Sequence, residues 1–188
     1  IKFLMNKVVI TGYGIKSCIG NTPKEVYSSL LNGNSGIVFK KEYKDLNFKS
    51  HIAGQIDIDL KELIDRKLLR FMGEASGYAY LASVDALSMA SLSLDDINLN
   101  KVGVIAGSGG ASSRSQLIAS DIVRDSGTKR VGPYAVTKTM GSTISATLGT
   151  ALKLKGVNYS ISSACSTSAH CIGHAFELIK SGSQNIII

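Results

Sequence analysis

Gly156-Val157-Asn158-Tyr159-Ser160-Ile161-Ser162, continuing through Ser163-Ala164-Cys165-Ser166-Thr167-Ser168-Ala169 to Lys180, Ser181-Gly182 and Asn185-Ile186-Ile187-Ile188, is the run that decides the fold. Gly156 to Ser162 reads as a buried strand, Cys165 to Lys180 as a helix stopped by Ser181-Gly182, and the closing isoleucines as another strand. Strand, helix and strand in that order predict a right-handed crossover onto a parallel sheet. A cysteine stands where the first strand becomes the helix.

Working outward, Lys101-Val102-Gly103-Val104-Ile105-Ala106 predicts a second buried strand that delivers the chain into the turn Gly107-Ser108-Gly109-Gly110. Helices are expected over Ser115 to Arg124 and over Thr139 to Leu152, and from Arg66 to Ala90 with a break near Gly73. At the start, Lys7-Val8-Val9-Ile10-Thr11-Gly12 predicts a further buried strand. Thr22-Pro23-Lys24-Glu25 carries a helix-capping box with proline at the first helical position, and that helix should end at Asn32-Gly33. Leu46 to Leu60 alternates weakly, as a strand or hairpin would. The class is α/β.

Bulk properties fit a single domain over residues 5–188, with Met5 as the native start and residues 1–4 a remnant. Of the 188 residues, 44% are hydrophobic against 19% charged, which allows a packed core and excludes disorder. No stretch reaches the ~18 uninterrupted apolar residues a membrane helix needs, and the start lacks a cleavable signal pattern. Three cysteines at spacings that match no disulfide or zinc framework imply a reducing, cytoplasmic setting and no metal. The net charge of +7 suits an acidic protein, an anionic surface or nucleic acid, and by itself does not choose. Gly12-Tyr13-Gly14 has Ser17 where a dinucleotide fingerprint needs its third glycine, and Gly107-Ser108-Gly109-Gly110 lacks the Lys-Ser/Thr of a phosphate loop. Both read as tight turns.

An isolated cysteine is most often a buried structural residue. At a strand-to-helix turn, however, the unpaired N–H groups and the positive end of the helix dipole favour a thiolate and would hold an oxyanion. At ~100° and ~1.5 Å per residue, His170 lies well round the helix from Cys165, and His174 is on the opposite face ~13 Å along the axis. Cys171, ~9 Å up the helix, is beyond the ~7 Å limit for a disulfide. His51 reads as a surface or packing residue. Groups that assist Cys165 therefore have to come from outside these 188 residues or from another chain.

With these residues in view, Ser162-Ser163-Ala164-Cys165-Ser166-Thr167-Ser168-Ala169-His170-Cys171-Ile172-Gly173 resembles the active-site segment of the β-ketoacyl-acyl carrier protein synthases, type I. Val9-Ile10-Thr11-Gly12-Tyr13-Gly14, Asn34-Ser35-Gly36-Ile37, Leu63-Ile64-Asp65-Arg66-Lys67, Ala106-Gly107-Ser108-Gly109-Gly110 and Gly132-Pro133-Tyr134-Ala135-Val136-Thr137-Lys138 carry the likeness along the chain. The resemblance implies a thiolase-like fold of two similar α/β halves, this chain supplying the N-terminal one as a mostly parallel mixed sheet packed with helices. It implies Cys165 as the nucleophile that takes an acyl group as a thioester, its own N–H serving the oxyanion hole, before decarboxylative condensation with malonyl-acyl carrier protein. Two histidines, a lysine and a further N–H of the family's second half are expected to be missing, leaving this chain alone inactive and its apolar second-half face uncovered.

The resemblance further implies an acyl pocket lined by Gly109, Met140 and Ala164, and a homodimer paired through strand 156–160. No cofactor is expected, since substrates ride on the phosphopantetheine of acyl carrier protein, and neither nucleic acid nor membrane is expected as a partner. Basic runs are usually solvated faces. Here Arg66, Lys67 and Arg70, joined by Lys129 and Arg130, are implied to guide docking of that acidic carrier protein, an attraction that fades with salt. A catalytically silent scaffold of the same fold is the alternative, and the presence of cysteine at 165 argues against it.

Overall fold

The computed structural model describes residues 6–110 and 112–188, the Asp96 side chain excepted. The expected start at Met5 and the remnant at residues 1–4 lie outside the described residues. The elements in order are α1 (Pro23–Leu31), β1 (Ile37–Phe39), α2 (Lys41–Asp45), β2 (Ile52–Gly54), α3 (Leu60–Leu63), α4 (Arg66–Leu69), α5 (Glu74–Met89), β3 (Val102–Ile105), α6 (Ser113–Ser126), α7 (Ala135–Thr139), α8 (Thr143–Ala151), β4 (Asn158–Tyr159), α9 (Thr167–Lys180) and β5 (Ile186–Ile187).

β3 is the centre of a parallel three-stranded sheet of order β4-β3-β5, so α9 carries the chain from one side of β3 to the other. All four β3 residues are buried, as expected of a strand covered on both faces. Val104, Ile144 of α8 and Leu148 of α8 form the core, with Ala75, Ala79 and Tyr80 of α5 packed against them. A separate antiparallel pair joins β1 to β2, with Val38 opposite Ala53. The weakly alternating region 46–60 thus supplies one strand of a hairpin whose other strand precedes it.

Local chemistry sets several boundaries. The α1 capping box forms as expected, Thr22 Oγ1 accepting from the Glu25 N–H at 3.3 Å while Glu25 accepts from the Thr22 N–H at 3.1 Å. Asn32 caps its end, and Gly33 follows in the left-handed region at φ 67. Gly73 separates α4 from α5 as predicted.

Elsewhere the structure corrects the reading. Lys7 to Gly12 is not a strand: Val9 is 61% and Ile10 84% exposed, and the segment makes no ladder among the described residues. β5 pairs with β3, and a cavity of about 320 Å³ lies between residues 11–14 and Ile186–Ile188. The segment instead rides on α5, where a Cβ on Gly12 or Gly14 would stand 2.1 Å from Ala86 O or 2.0 Å from Ala82 O. The helix expected from Thr139 starts at Thr143, because Met140 turns extended at ψ 146 and ends the short α7. The strand expected over Gly156 to Ser162 is regular only at Asn158–Tyr159, although its backbone bonding to β3 begins earlier, with the Gly156 N–H donating to the Val102 carbonyl at 3.0 Å and the Val157 carbonyl accepting from the Val104 N–H at 2.8 Å.

Candidate active site

Cys165 is exposed. It lies in a single 3₁₀ turn, Ala164–Ser166, with α9 opening at Thr167 rather than at Cys165 itself. Ala164 holds φ 50, a left-handed conformation that non-glycine residues adopt only where neighbours over-determine it. The neighbours that do so are hydroxyls. Thr167, 3% exposed, accepts from the Ser163 N–H at 2.9 Å and donates to the Ala164 carbonyl at 2.8 Å. Ser166 donates through Oγ to the Ser163 carbonyl at 2.7 Å, and through its N–H to the same oxygen at 3.1 Å. None of these turn-closing bonds uses the Cys165 N–H.

The end of β3 buttresses this turn. Ser162 donates through Oγ to the Ser108 carbonyl at 3.2 Å. A Cβ on Gly107 would stand 1.9 Å from Ile161 O, and one on Gly109 2.9 Å from Ala164 O, so the two loops touch backbone to backbone. Cys165 therefore stands beyond the carboxyl ends of two parallel strands, β4 and β3, where the order reverses toward β5, the place where open α/β sheets bind ligands. The Cys165 thiol there is open to solvent.

The other histidines and cysteines separate cleanly. His170 sits on α9 with Nδ1 2.7 Å from Ser163 Oγ, a contact that the helical spacing to Cys165 gave no sign of. His174 meets Tyr159 edge to face at 6.3 Å, and His51 meets Phe39 in the same way at 6.1 Å, both as packing residues. Cys18 is free and exposed, whereas Cys171 is free and buried. Burial pushes the Cys171 thiol up, and burial first, then the Cys171 and Glu177 charges, pushes the Tyr159 phenol up.

Of the three residues implied for an acyl pocket, Gly109 and Ala164 meet directly. Met140 lines a different cavity of about 270 Å³, with Leu68, Phe71, Met72 and Thr147. Arg66 and Arg70 open onto a cavity of about 570 Å³, together with Lys61, Lys138, Asp59 and Glu74. Lys67 is exposed and its N–H is capped by Asp65 at 2.7 Å. Lys129 and Arg130 are exposed in a 3₁₀ turn, four to five residues before Tyr134. Tyr134 holds one of the basic residues, since the Arg70 guanidinium lies 5.2 Å from its ring and 5.0 Å from that of Phe71, and the two rings meet edge to face at 4.9 Å. Nothing in the linear spacing pointed to this clamp. β4, within the segment implied for dimer pairing, is an edge of its sheet.

No helix among the described residues is long and apolar enough to cross a membrane. The family described as "Beta-ketoacyl synthase, N-terminal domain" matches residues 5–188. The 3-oxoacyl-[acyl-carrier-protein] synthase 1 of Haemophilus influenzae is 51% identical over 184 residues, covering 97% of this chain and 45% of that protein. Among solved structures, a β-ketoacyl synthase from Burkholderia phymatum superposes with a TM-score of 0.82 at 26% identity, covering 96% of this chain and 45% of that one. A type II PKS acyl-carrier protein in complex with its ketosynthase gives 0.71 at 22% identity, covering 94% of this chain and 47% of that one, a likeness of fold alone. The chain thus spans about half the length of the relatives it matches, and its architecture is that of the N-terminal half of thiolase-like ketosynthases. The chain belongs to the β-ketoacyl synthase family, as that family's N-terminal domain.

Proposed function

We propose that this chain is the nucleophile-bearing half of a 3-oxoacyl-[acyl-carrier-protein] synthase. The observation that carries the reading is the exposed Cys165 in a strained, hydroxyl-braced turn between β4 and α9. In the first step the Cys165 thiolate attacks the thioester carbonyl of an acyl-acyl carrier protein. The new Cys165 S–C bond forms as the bond to the pantetheine sulfur breaks, and that sulfur leaves as a thiolate, which takes up the proton that Cys165 gave to solvent on ionising. In the second step malonyl-acyl carrier protein loses carbon dioxide, its carbanion attacks the Cys165 thioester, and the sulfur leaves as thiolate while a carbon–carbon bond forms. N–H groups at the turn stabilise the oxyanion of each tetrahedral intermediate. The histidine pair and lysine that assist decarboxylation in the family belong to the portion of the relatives that this chain does not span.

Further parts of the reading follow the family. The carrier protein docks on Arg66, Lys67 and Arg70 with Lys129 and Arg130, the acyl chain passes Gly109 and Ala164 with Met140 contributed across a dimer, and two copies pair along residues 156–160. The substrates bring their own pantetheine, so no further cofactor takes part, and the enzyme works in the cytoplasm. Incubation of the full-length protein with acyl-acyl carrier protein should add one acyl mass to the peptide that contains Cys165, and Cys165→Ser should lose both this adduct and condensation. An acyl group found on another residue, with condensation intact in Cys165→Ser, would refute the assignment.

A further inference from the structure

The turn that presents Cys165 is braced from within by Thr167 and the β3 loop, and on its outer side by a pair that spans the turn and the start of α9. Ser163 Oγ lies 2.7 Å from His170 Nδ1. Ser163 directly precedes Ala164, the residue held at φ 50, and stands two places before Cys165. Its backbone is already engaged on both sides, through its N–H to Thr167 and its carbonyl from Ser166, so the hydroxyl is the remaining handle on the turn. Left-handed strain persists only while its surroundings hold it.

We propose that His170 is a positioning residue: through Ser163 it latches the left-handed turn and so keeps the Cys165 sulfur presented ahead of α9. The inference rests on the reading of Cys165 as the nucleophile. His170 acts here through Ser163 and has no role as a base. Either tautomer serves, because the serine hydroxyl can donate to a bare Nδ1 or accept from Nδ1–H, and the imidazolium can still donate.

The test is iodoacetamide labelling of the full-length protein at one fixed pH, followed peptide by peptide. Exposed Cys18 is the internal reference and buried Cys171 the reporter of fold. Four variants are compared: His170→Leu, Ser163→Ala, the two combined, and His170→Asn, whose side-chain amide falls near the place of Nδ1. Each single loss should slow Cys165 relative to Cys18 by about fivefold, the net worth of one hydrogen bond. The double variant should be no slower than either single one, since both remove the same bond. His170→Asn should return to within about twofold of the parent rate. In turnover, kcat should fall with KM for the carrier-protein substrate unchanged.

An unchanged Cys165 to Cys18 ratio in His170→Leu, or losses that multiply in the double variant, would overturn the latch. Parent Cys165 reacting no faster than Cys18 would overturn both the latch and the nucleophile reading, whereas a fast parent with unaffected variants overturns the latch alone. A rise in Cys171 labelling marks a variant that has lost its fold, in which case Ser163→Ala and His170→Asn decide.

Discussion

The contact between the β3 loop and the Cys165 turn can be probed by adding one methyl group at a time. A Cβ on Gly107 would stand 1.9 Å from Ile161 O, about 1.4 Å short of the ~3.3 Å of an ordinary C···O contact. On Gly109 the nearest atom is Ala164 O at 2.9 Å, a shortfall of about 0.4 Å. On Gly110 nothing lies within 4 Å. Because the obstructing atoms are backbone, Gly107→Ala must push the two loops apart, and a cost near the upper end of overpacking, about 3 kcal/mol, is expected. For a chain of this size that lowers Tm by about 6–12 °C. Gly109→Ala should cost about 1 kcal/mol, or about 2–4 °C, but its displacement falls on Ala164 and therefore slows alkylation of Cys165 more than its stability loss suggests. Gly110→Ala should stay within about 1 kcal/mol of the parent, and the reduced freedom of its unfolded chain favours a slight gain. Thermal unfolding and peptide-resolved labelling of Cys165 against Cys18 measure the series. Equal Tm for the Gly107 and Gly110 variants would refute the backbone-to-backbone contact on which the site's geometry rests.

Two other perturbations test the site's surroundings. Tyr134→Ala removes one of the two rings that hold the Arg70 guanidinium, and should weaken binding of an acidic carrier protein by about twofold to fivefold at low salt, less at high salt; calorimetric titration at two ionic strengths checks it, and unchanged affinity would remove the clamp from docking. The buried Cys171 thiol and Tyr159 phenol are raised above their ordinary 9.0 and 10.0, so the fold keeps both protonated. Below about pH 9 both states hold these protons and the contribution is whole; above it the unfolded chain releases them first, and stability falls as pH climbs through the folded-state values. Tm should hold level from neutral pH to about 9 and then decline, with the first part of the decline lost in Cys171→Ala; a flat profile through that range in the parent would contradict the assignment.

Much of the fold is local enough to be legible from sequence. β3 announces itself as a short apolar run ending at glycine, and all of it is buried; the α1 capping box needs only Thr22 and Glu25. Lys7 to Gly12 has an equally apolar pattern and no strand, because a strand requires a neighbour, and sheet order is a property of the whole chain. The late start of α8 escaped for a related reason, since Thr139 and Met140 have acceptable helical character while Thr139 spends its hydroxyl on the Ala135 carbonyl and Met140 swings extended. Cys165 was visible in the sequence because its chemistry and its place between strand and helix coincide. The Ser163–His170 pair was not, since seven residues apart is no helical spacing once a left-handed residue intervenes. The Arg70 clamp likewise joins α4 to a loop more than sixty positions later, a pairing that only the folded chain makes.

Cys165 is surrounded by alcohols, yet they are not equal competitors for an acyl group. Ser162, Ser166 and Thr167 each commit the hydroxyl hydrogen to a backbone carbonyl, and Ser163 faces an imidazole nitrogen. For any of these oxygens to take an acyl chain, a bond that shapes the turn would first have to break, and with it the geometry that brings the donor close. Among the described residues the Cys165 sulfur, free and exposed, closes no bond of the turn. On the proposed reading of Cys165 as the nucleophile, this difference in how firmly the four hydroxyls and the thiol are tied down would favour thioester over ester formation at the turn.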